Sequence, residues 1–515
     1  MNKRVVTAIV AVLAIALLGG AALGVVLVME DDGAAPADGP TARPSSTLTG
    51  DPTSLDRFYG QKIQWAPCGG NECGTIEVPI DYQKPAEGTL FLNLQRTRAT
   101  GERVGSLVVN PGGPGAPGTD MIEQADLYFA APLRKAFDIV GFDPRGTGKS
   151  DPVDCITDTE LDDQTAADPD PDTPAEVAAT VTLGEDFWAG CRARSGRIAS
   201  HVSTVEAARD MDVLRSALGE QQLNYLGFSY GTKLGATYAE LYPANTGRLV
   251  LDGAVDPTLS SRASSLSQAR GFEVALRSYV QNCVGTGSCF LGSTVDAGVA
   301  TIKKLIDSID AKPLPTNDPG DRELTVGRAF YGLVLPLYSE DSWSFLDQGL
   351  QQALDGDGST LLQLSDYYGS RENGRYTDNS LEAIAVINCL DDPTSIEPSQ
   401  VAAQYPDFDR ASPTFGRVFA WGLIGCRGIP FASTDQPNLV IDGAGAAPIM
   451  VLGTTRDPAT PYEEAVALSK QLKSGFLVTR DGDGHPAYNT GNDCIDKAVH
   501  EFLIDDQQPT AGLRC

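Results

Sequence analysis

The sequence predicts an α/β protein built on a mostly parallel sheet with helices on both faces, and three observations carry that expectation. Short apolar runs bounded by turn residues recur: "TLFLNLQRT", "SLVVNPGGPG", "FDIVGFDPRG", "LNYLGFSYG", "RLVLDGAVDP", "PIMVLGTTRDP" and "GFLVTRDGDGH". Each has strand length, and the runs are apolar at successive positions, as strands buried on both faces must be. Helical patterns lie between several of them. Val205, Ala208, Met211, Leu214 and Leu218 recur at helix spacing behind the cap candidate Ser203. Strands alternating with helices give parallel pairing. The third observation is a break in that alternation. Between Asp252 in "RLVLD" and Ile449 in "PIMVLG" lie nearly two hundred residues, far more than a strand-helix-strand link needs. Their text, "FLDQGLQQALDGDGSTLLQLSDYY" among it, is largely helical. A helical lid inserted after the sixth core strand is therefore expected over 258–438, flanked by core segments 57–257 and 439–515.

The first residues read differently. Lys3 and Arg4 precede an uncharged run from Val5 to Met29, and Glu30, Asp31 and Asp32 come directly after it. Cations before and anions after orient such a segment for export of the rest of the chain. The run is long enough to span a bilayer, and Ala35-Pro36-Ala37 offers a small-residue cleavage site, so 1–30 is either a signal peptide or a membrane anchor. A lipid-modified cysteine is excluded, because no cysteine precedes Cys68. Residues 31–56, rich in Ala, Pro, Ser, Thr and Gly, read as a flexible tether. Beyond this segment no contact with membrane is expected.

Bulk charge narrows the function. With 39 Lys plus Arg against 68 Asp plus Glu, the formal charge is −29, a field that repels phosphate backbones and excludes nucleic acid as a natural partner. The ten cysteines are Cys68, Cys73, Cys155, Cys191, Cys283, Cys289, Cys389, Cys426, Cys494 and Cys515. An even number in an exported chain implies disulfides, and pairing neighbours in order is the simplest of many connectivities. No C-x-x-C pair occurs and the chain has only His201, His485 and His500, so neither a metal site nor a cofactor is expected.

The candidate chemistry begins at "YLGFSYGTKLG", where Ser229 stands between the strand Leu223 to Leu226 and a helix from about Tyr230 to Tyr242. A G-x-S-x-G string in a strand-turn-helix context marks a nucleophile elbow, whose tight turn needs flanking residues without Cβ, here Gly227 and Gly231. A serine hydroxyl needs a base held by a third group. His500 lies on a helix flank and His201 just before a helix, and both read as ordinary surface residues. His485, in the loop "DGDGHPAY" after the last strand, can reach the carboxyl edge of the sheet. Asp457 in "LGTTRDPATP" ends the preceding strand. The order Ser229, Asp457, His485 is that of the α/β-hydrolases and differs from both other serine-protease orders. "NPGGPG" follows an earlier strand, so Gly112 and Gly113, with the amide of Tyr230, are the candidate oxyanion donors. Two further motifs are incomplete. "DPRGTGKS" has Asp143 where a phosphate loop needs its first glycine. "DGDGSTLLQLSD" has Thr360 where a calcium loop needs glycine and Asp366 where it needs glutamate.

Together "NPGGPG", "GFDPRGTGKSDPVDC", "YLGFSYGTKLGATYAELYP", "LVLDGAVDP", "INCLDD" and "TTRDPATP" resemble the exported tripeptidyl-aminopeptidase family of actinobacterial α/β-hydrolases, relatives of the prolyl aminopeptidases. The resemblance runs from about Arg57 to Cys515 and is weakest in the lid. It implies a serine exopeptidase that removes short peptides from free N-termini, with Ser229 as nucleophile, His485 as base and Asp457 as its orienter. One departure is Pro486, where the family usually has glycine after the histidine. An aminopeptidase must also pair the substrate α-ammonium with an anion. Asp391, in the family's C-x-D position, is the first candidate and Asp392 the second. Two rival activities remain open on the same fold: ester hydrolysis by the same triad, and a non-catalytic envelope binding protein. An epoxide hydrolase or dehalogenase is disfavoured, because its elbow nucleophile is Asp.

Overall fold

The computed structural model describes residues 48–433 and 439–515. The leader over 1–30, and the tether as far as residue 47, lie outside the described residues. Among the described residues no helix is long and apolar enough to cross a membrane.

Eleven strands occur among the described residues: β1 (Ala66–Cys68), β2 (Asn71–Pro79), β3 (Thr89–Thr97), β4 (Gly105–Asn110), β5 (Phe137–Phe142), β6 (Leu223–Phe228), β7 (Thr246–Asp252), β8 (Arg371–Glu372), β9 (Arg375–Tyr376), β10 (Ile449–Arg456) and β11 (Gly475–Asp483). Nine of them form one sheet in the order β1-β2-β3-β5-β4-β6-β7-β10-β11, while β8 and β9 make a small separate hairpin. From β5 to β11 every neighbouring pair is parallel; β1, β2 and β3 join antiparallel. All seven apolar runs are strands of this sheet. β1 and β2 do not announce themselves as such runs. "NECGTIEVP" mixes charge and glycine into its half-buried first half, where the full burial needed for an apolar run is missing.

The pleat explains why the parallel strands read as continuous apolar text. Val108, Tyr225, Leu249, Leu251 and Val451 enter one buried cluster, together with Met211 and Leu214 of helix Thr204–Leu218 and Leu234 of helix Tyr230–Leu241. Leu107, Val109, Leu226, Val250, Met450 and Leu452 enter a second cluster, with Ile495, Val499 and Phe502 of helix Asp493–Asp505. Adjacent residues thus bury on opposite faces, and both faces carry helices. Helix Thr204–Leu218 starts at Ser203, whose hydroxyl accepts the Glu206 N–H, and ends at left-handed Gly219, as its sequence predicts.

The inserted segment leaves after β7. Because the short β1 precedes β2 at the sheet edge, β7 is the seventh strand in the chain and the sixth counting from β2. The insert is largely helical, and its helices Ser261–Gly285, Val295–Ala311, Val326–Val334, Trp343–Leu354 and Ser359–Tyr368 share their own apolar cluster around Leu276, Ile302, Leu333, Leu346 and Leu361. Helix Ser380–Asp391 is different: Ala383, Val386, Ile387 and Leu390 pack into a cluster of the sheet. The insert is therefore anchored on the core through this helix. The same helix meets the loop after β4, where a Cβ on Gly115 would lie 2.8 Å from Ala383 Cβ.

Five disulfides join sequence neighbours: Cys68–Cys73, Cys155–Cys191, Cys283–Cys289, Cys389–Cys426 and Cys494–Cys515. The two incomplete motifs are closed turns. Asp143 accepts from Thr119 and from the Lys149 N–H, and Arg145, fully buried, forks onto Asp210 at 2.6 and 2.7 Å. Asp357 caps Ser359 at its N–H, and Asp366 is paired with Arg322. No cluster suited to a metal ion occurs among the described residues.

Candidate active site

Ser229 is held in a conformation that few residues adopt. Its φ of 55° and ψ of −125° lie outside the helical and extended regions, strain of a kind that persists only where the surroundings over-determine it. They do so here. Ser229 donates its N–H to the Asp252 carbonyl at 2.9 Å, and its own carbonyl accepts from the Thr232 N–H at 2.8 Å and hydroxyl at 2.6 Å. The flanking glycines are required by contact: a Cβ on Gly227 would lie 2.5 Å from the Gly231 carbonyl, and one on Gly231 would lie 2.8 Å from Asn110 Oδ1. The turn therefore lifts the serine at the carboxyl end of β6, ahead of helix Tyr230–Leu241.

Asp457 and His485 meet after the two last strands. Nδ1 of His485 lies 2.7 Å from Asp457 Oδ2. Asp457, fully enclosed, is fixed in turn: its Oδ1 accepts the N–H groups of Ala459 and Thr460 at 2.9 and 2.8 Å, and its Oδ2 accepts the Thr460 hydroxyl at 3.1 Å. From the insert, the Tyr338 carbonyl accepts the His485 N–H at 2.8 Å, and the Tyr338 ring stands edge-on to the imidazole, 5.8 Å between centroids. Burial disfavours a charged imidazole, but the field and hydrogen bond of Asp457, aided by Asp252, outweigh it and raise His485 above its ordinary value. The ring also lies close over Gly253, where a Cβ would sit 2.5 Å from its Cε1. His201 is bonded to Glu206 and His500 to the Tyr488 hydroxyl, so neither competes for the serine. Burial drops His500 to about 4.

The loop after β4 lies against the elbow, since a Cβ on Gly112 would come within 2.8 Å of Ser229 Cβ and 3.3 Å of the Tyr230 nitrogen. The amide of Gly112 is not free for an oxyanion. It donates to Asn110 Oδ1 at 3.0 Å, which corrects the expectation that both glycine amides stand open; of the two, Gly113 is the candidate that remains.

Asp391 also has other work. Its carboxylate pairs with Lys233 Nζ at 2.6 Å and accepts from the N–H and hydroxyl of Thr204, whose hydroxyl is 2.7 Å from the Tyr230 phenol. Lys233 sits one helical turn beyond Ser229, so its ammonium already neutralises the anion that was expected to meet a substrate amine. Asp392 caps Ser261 and Thr394 at their N–H groups. Asp391 thus ties the insert to the core, whereas Asp392 joins two segments of the insert itself. The sequence offers no sign of this, because Lys233 and Asp391 are far apart in the chain. Thr460 and Asp252 also escape a reading of the sequence. Thr460 is legible in principle, standing three residues after Asp457 as a turn partner of an aspartate.

The acid side of the pH scale should separate activity from stability. A raised His485 stays protonated, and inert as a base, to a higher pH than a free imidazole, so the acid limb of kcat/KM is expected above the usual histidine value. Burial pushes Asp252 up to about 6 and Glu464 up to about 7, and burial with the neighbouring Asp168 pushes Asp170 up to about 7. The native state then binds protons more tightly than the unfolded chain, and stability rises as pH falls from about 7 toward the unfolded carboxylate values. His485 acts in the same sense, while the depressed His500 opposes it below about 6.5 and offsets part of the gain. The expected result is a thermal midpoint higher at pH 5.5 than at pH 8 while kcat/KM is lower; calorimetry and a rate profile in the same buffers check it, and a midpoint that falls on acidification contradicts it.

Comparison with known proteins shows the family. A family model described as TAP-like protein matches residues 412–515. The chain is 37% identical over 484 residues to the serine protease Hip1 of Mycobacterium tuberculosis, covering 88% of this chain and 91% of that one. It is 37% identical over 453 residues to carboxylesterase B of the same species, covering 86% of each. It is 32% identical over 483 residues to the tripeptidyl aminopeptidase of Streptomyces lividans, covering 88% of this chain and 86% of the other. With an elbow serine on a nine-stranded, mostly parallel sheet and relatives alignable over most of their length, this chain belongs to the α/β-hydrolase family of serine peptidases that includes Hip1 and the tripeptidyl aminopeptidases.

Proposed function

We propose that the protein is an exported exopeptidase that releases short peptides, tripeptides by its resemblance, from free N-termini. The observation that carries the reading is the 2.7 Å pairing of His485 Nδ1 with a buried, doubly capped Asp457, at the sheet edge that also bears the strained Ser229. In this reading His485 Nε2 takes the proton as Ser229 Oγ attacks the scissile carbonyl. The amides of Gly113 and Tyr230 receive the oxyanion, and the imidazolium returns its proton to the leaving amine. Water then hydrolyses the acyl-enzyme by the reverse proton path. The helical insert serves as a lid: it reaches the catalytic loop through Tyr338 and the oxyanion loop through Ala383, which restricts entry to chain ends. Five disulfides support an oxidising, extracytoplasmic location.

The test compares a tripeptidyl arylamide with its N-acetylated form and follows a mixed-sequence peptide by mass spectrometry. Successive loss of short N-terminal fragments, with the blocked substrate at least tenfold slower, is expected. Equal rates on both, or internal cleavage, would refute exopeptidase action. The likeness to carboxylesterase B favours a second reading, ester hydrolysis on the same triad; faster turnover of simple acyl esters than of any arylamide would support it.

A further inference from the structure

We infer that Asp252 is a positioning residue for this chemistry: it ties the Ser229 turn to the His485 loop and places a second buried anion beside the imidazole. The inference rests on the serine-hydrolase reading above. Asp252 ends β7 and is completely enclosed. Its backbone carbonyl accepts the Ser229 N–H at 2.9 Å, and the next amide, Gly253, donates to the Leu452 carbonyl at 3.2 Å, on the strand that leads to Asp457. Its carboxylate faces the other way. Oδ1 accepts the Ala487 N–H at 2.9 Å and Oδ2 the Tyr488 N–H at 2.8 Å. Pro486 has no N–H, so these are the first two amides after His485 that any anchor can grip. The imidazole lies over Gly253, the residue joined to Asp252. One residue thus contacts the serine turn and the histidine loop, and its neighbour contacts the aspartate strand.

A carboxylate is what this position needs. Two N–H donors converge on it, one per oxygen, and an asparagine would turn an NH2 toward one of them and leave a buried amide without an acceptor. The charge matters as well. Burial pushes Asp252 up, the two amides and His485 pull it down, and Asp457 pushes it up again. In return Asp252 adds to the field of Asp457 that favours a protonated His485. Asp457 orients Nδ1, whereas Asp252 holds the loop that carries the ring against Gly253.

The test reads the second-order rate of Ser229 labelling by a fluorophosphonate as a function of pH, in the full chain, with the fold checked by circular dichroism and thermal melting. This readout needs the base and the nucleophile but no peptide specificity. Absence of labelling in the wild type would sink the serine-hydrolase reading itself. Given labelling, Asp252→Asn should slow it by about ten- to a hundredfold, through a displaced loop. Its acid limb should move to lower pH, because an imidazolium that loses a nearby anion is a stronger acid. Asp252→Glu keeps the charge and misplaces the loop, so it should lose rate with the limb unmoved; it also decides the matter should the asparagine variant fail to fold. A folded Asp252→Asn with wild-type rate and limb, or Asp252→Glu with wild-type rate, overturns the inference.

Discussion

Ser229→Ala is expected to lower kcat on the preferred arylamide by on the order of 10⁴- to 10⁶-fold, about 5 to 8 kcal/mol of transition-state stabilisation. KM should change little. The substitution removes the attacking oxygen and leaves the anchoring of the turn intact, since Ser229 is tied to Asp252 and Thr232 through its backbone. The fold should therefore survive, and a smaller, non-reactive side chain at a φ of 55° keeps the same strained turn. The variant is also expected to lose fluorophosphonate labelling. Steady-state kinetics, an intact-mass labelling assay and a melting curve check the three parts together. A variant that keeps a tenth of wild-type kcat would place the nucleophile elsewhere. The oxyanion donors proposed above, Gly113 and Tyr230, are untouched, so the residual rate should stay above that of the uncatalysed reaction.

Asp457→Asn is the second large effect, expected near 10⁴-fold in kcat, roughly what the same change costs in other serine triads. Asp457 Oδ2 accepts from His485 Nδ1 at 2.7 Å and so fixes the proton on that nitrogen, leaving Nε2 as the basic nitrogen that takes the serine proton in the proposed mechanism. An amide in its place can donate to Nδ1 and so move the ring proton to Nε2, where it blocks the base. Oδ1 is committed to the Ala459 and Thr460 amides, and those contacts select which face of the Asn amide meets the imidazole. The acid limb of the residual activity should move down, since the strongest field raising His485 is gone. An Asp457→Asn variant with kcat within tenfold of wild type and an unmoved limb would contradict the assigned role.

These residues differ in how legible they are from the string. Ser229 can be read because its demand is local: a tight strand-to-helix turn writes itself as glycine, serine, glycine within five residues. Asp457 and His485 are legible through position, each coming after an apolar run at the edge where such strands end. Gly112 is placed correctly in the loop but expected in the wrong task, because the acceptor that captures its amide, Asn110 Oδ1, is a side chain two residues away whose direction the string does not encode. Asp391 is misread for a larger version of the same reason. Its partner Lys233 is 158 positions away, and a carboxylate's availability depends on what has already neutralised it.

Alternation of apolar runs with helix-period text, a break too long for a crossover, and an ordered set of turn motifs were determined by the sequence alone, because burial on both sheet faces and tight turns constrain residue type at the position itself. The edge pair β1 and β2, the anchoring of helix Ser380–Asp391 on the sheet and the contacts of Asp252, Lys233 and Thr460 were decided only by the tertiary structure. A hydrogen bond or an ion pair between distant segments restricts two side chains jointly. Neither one, met singly in a chain carrying 68 acidic residues, differs from a solvated charge.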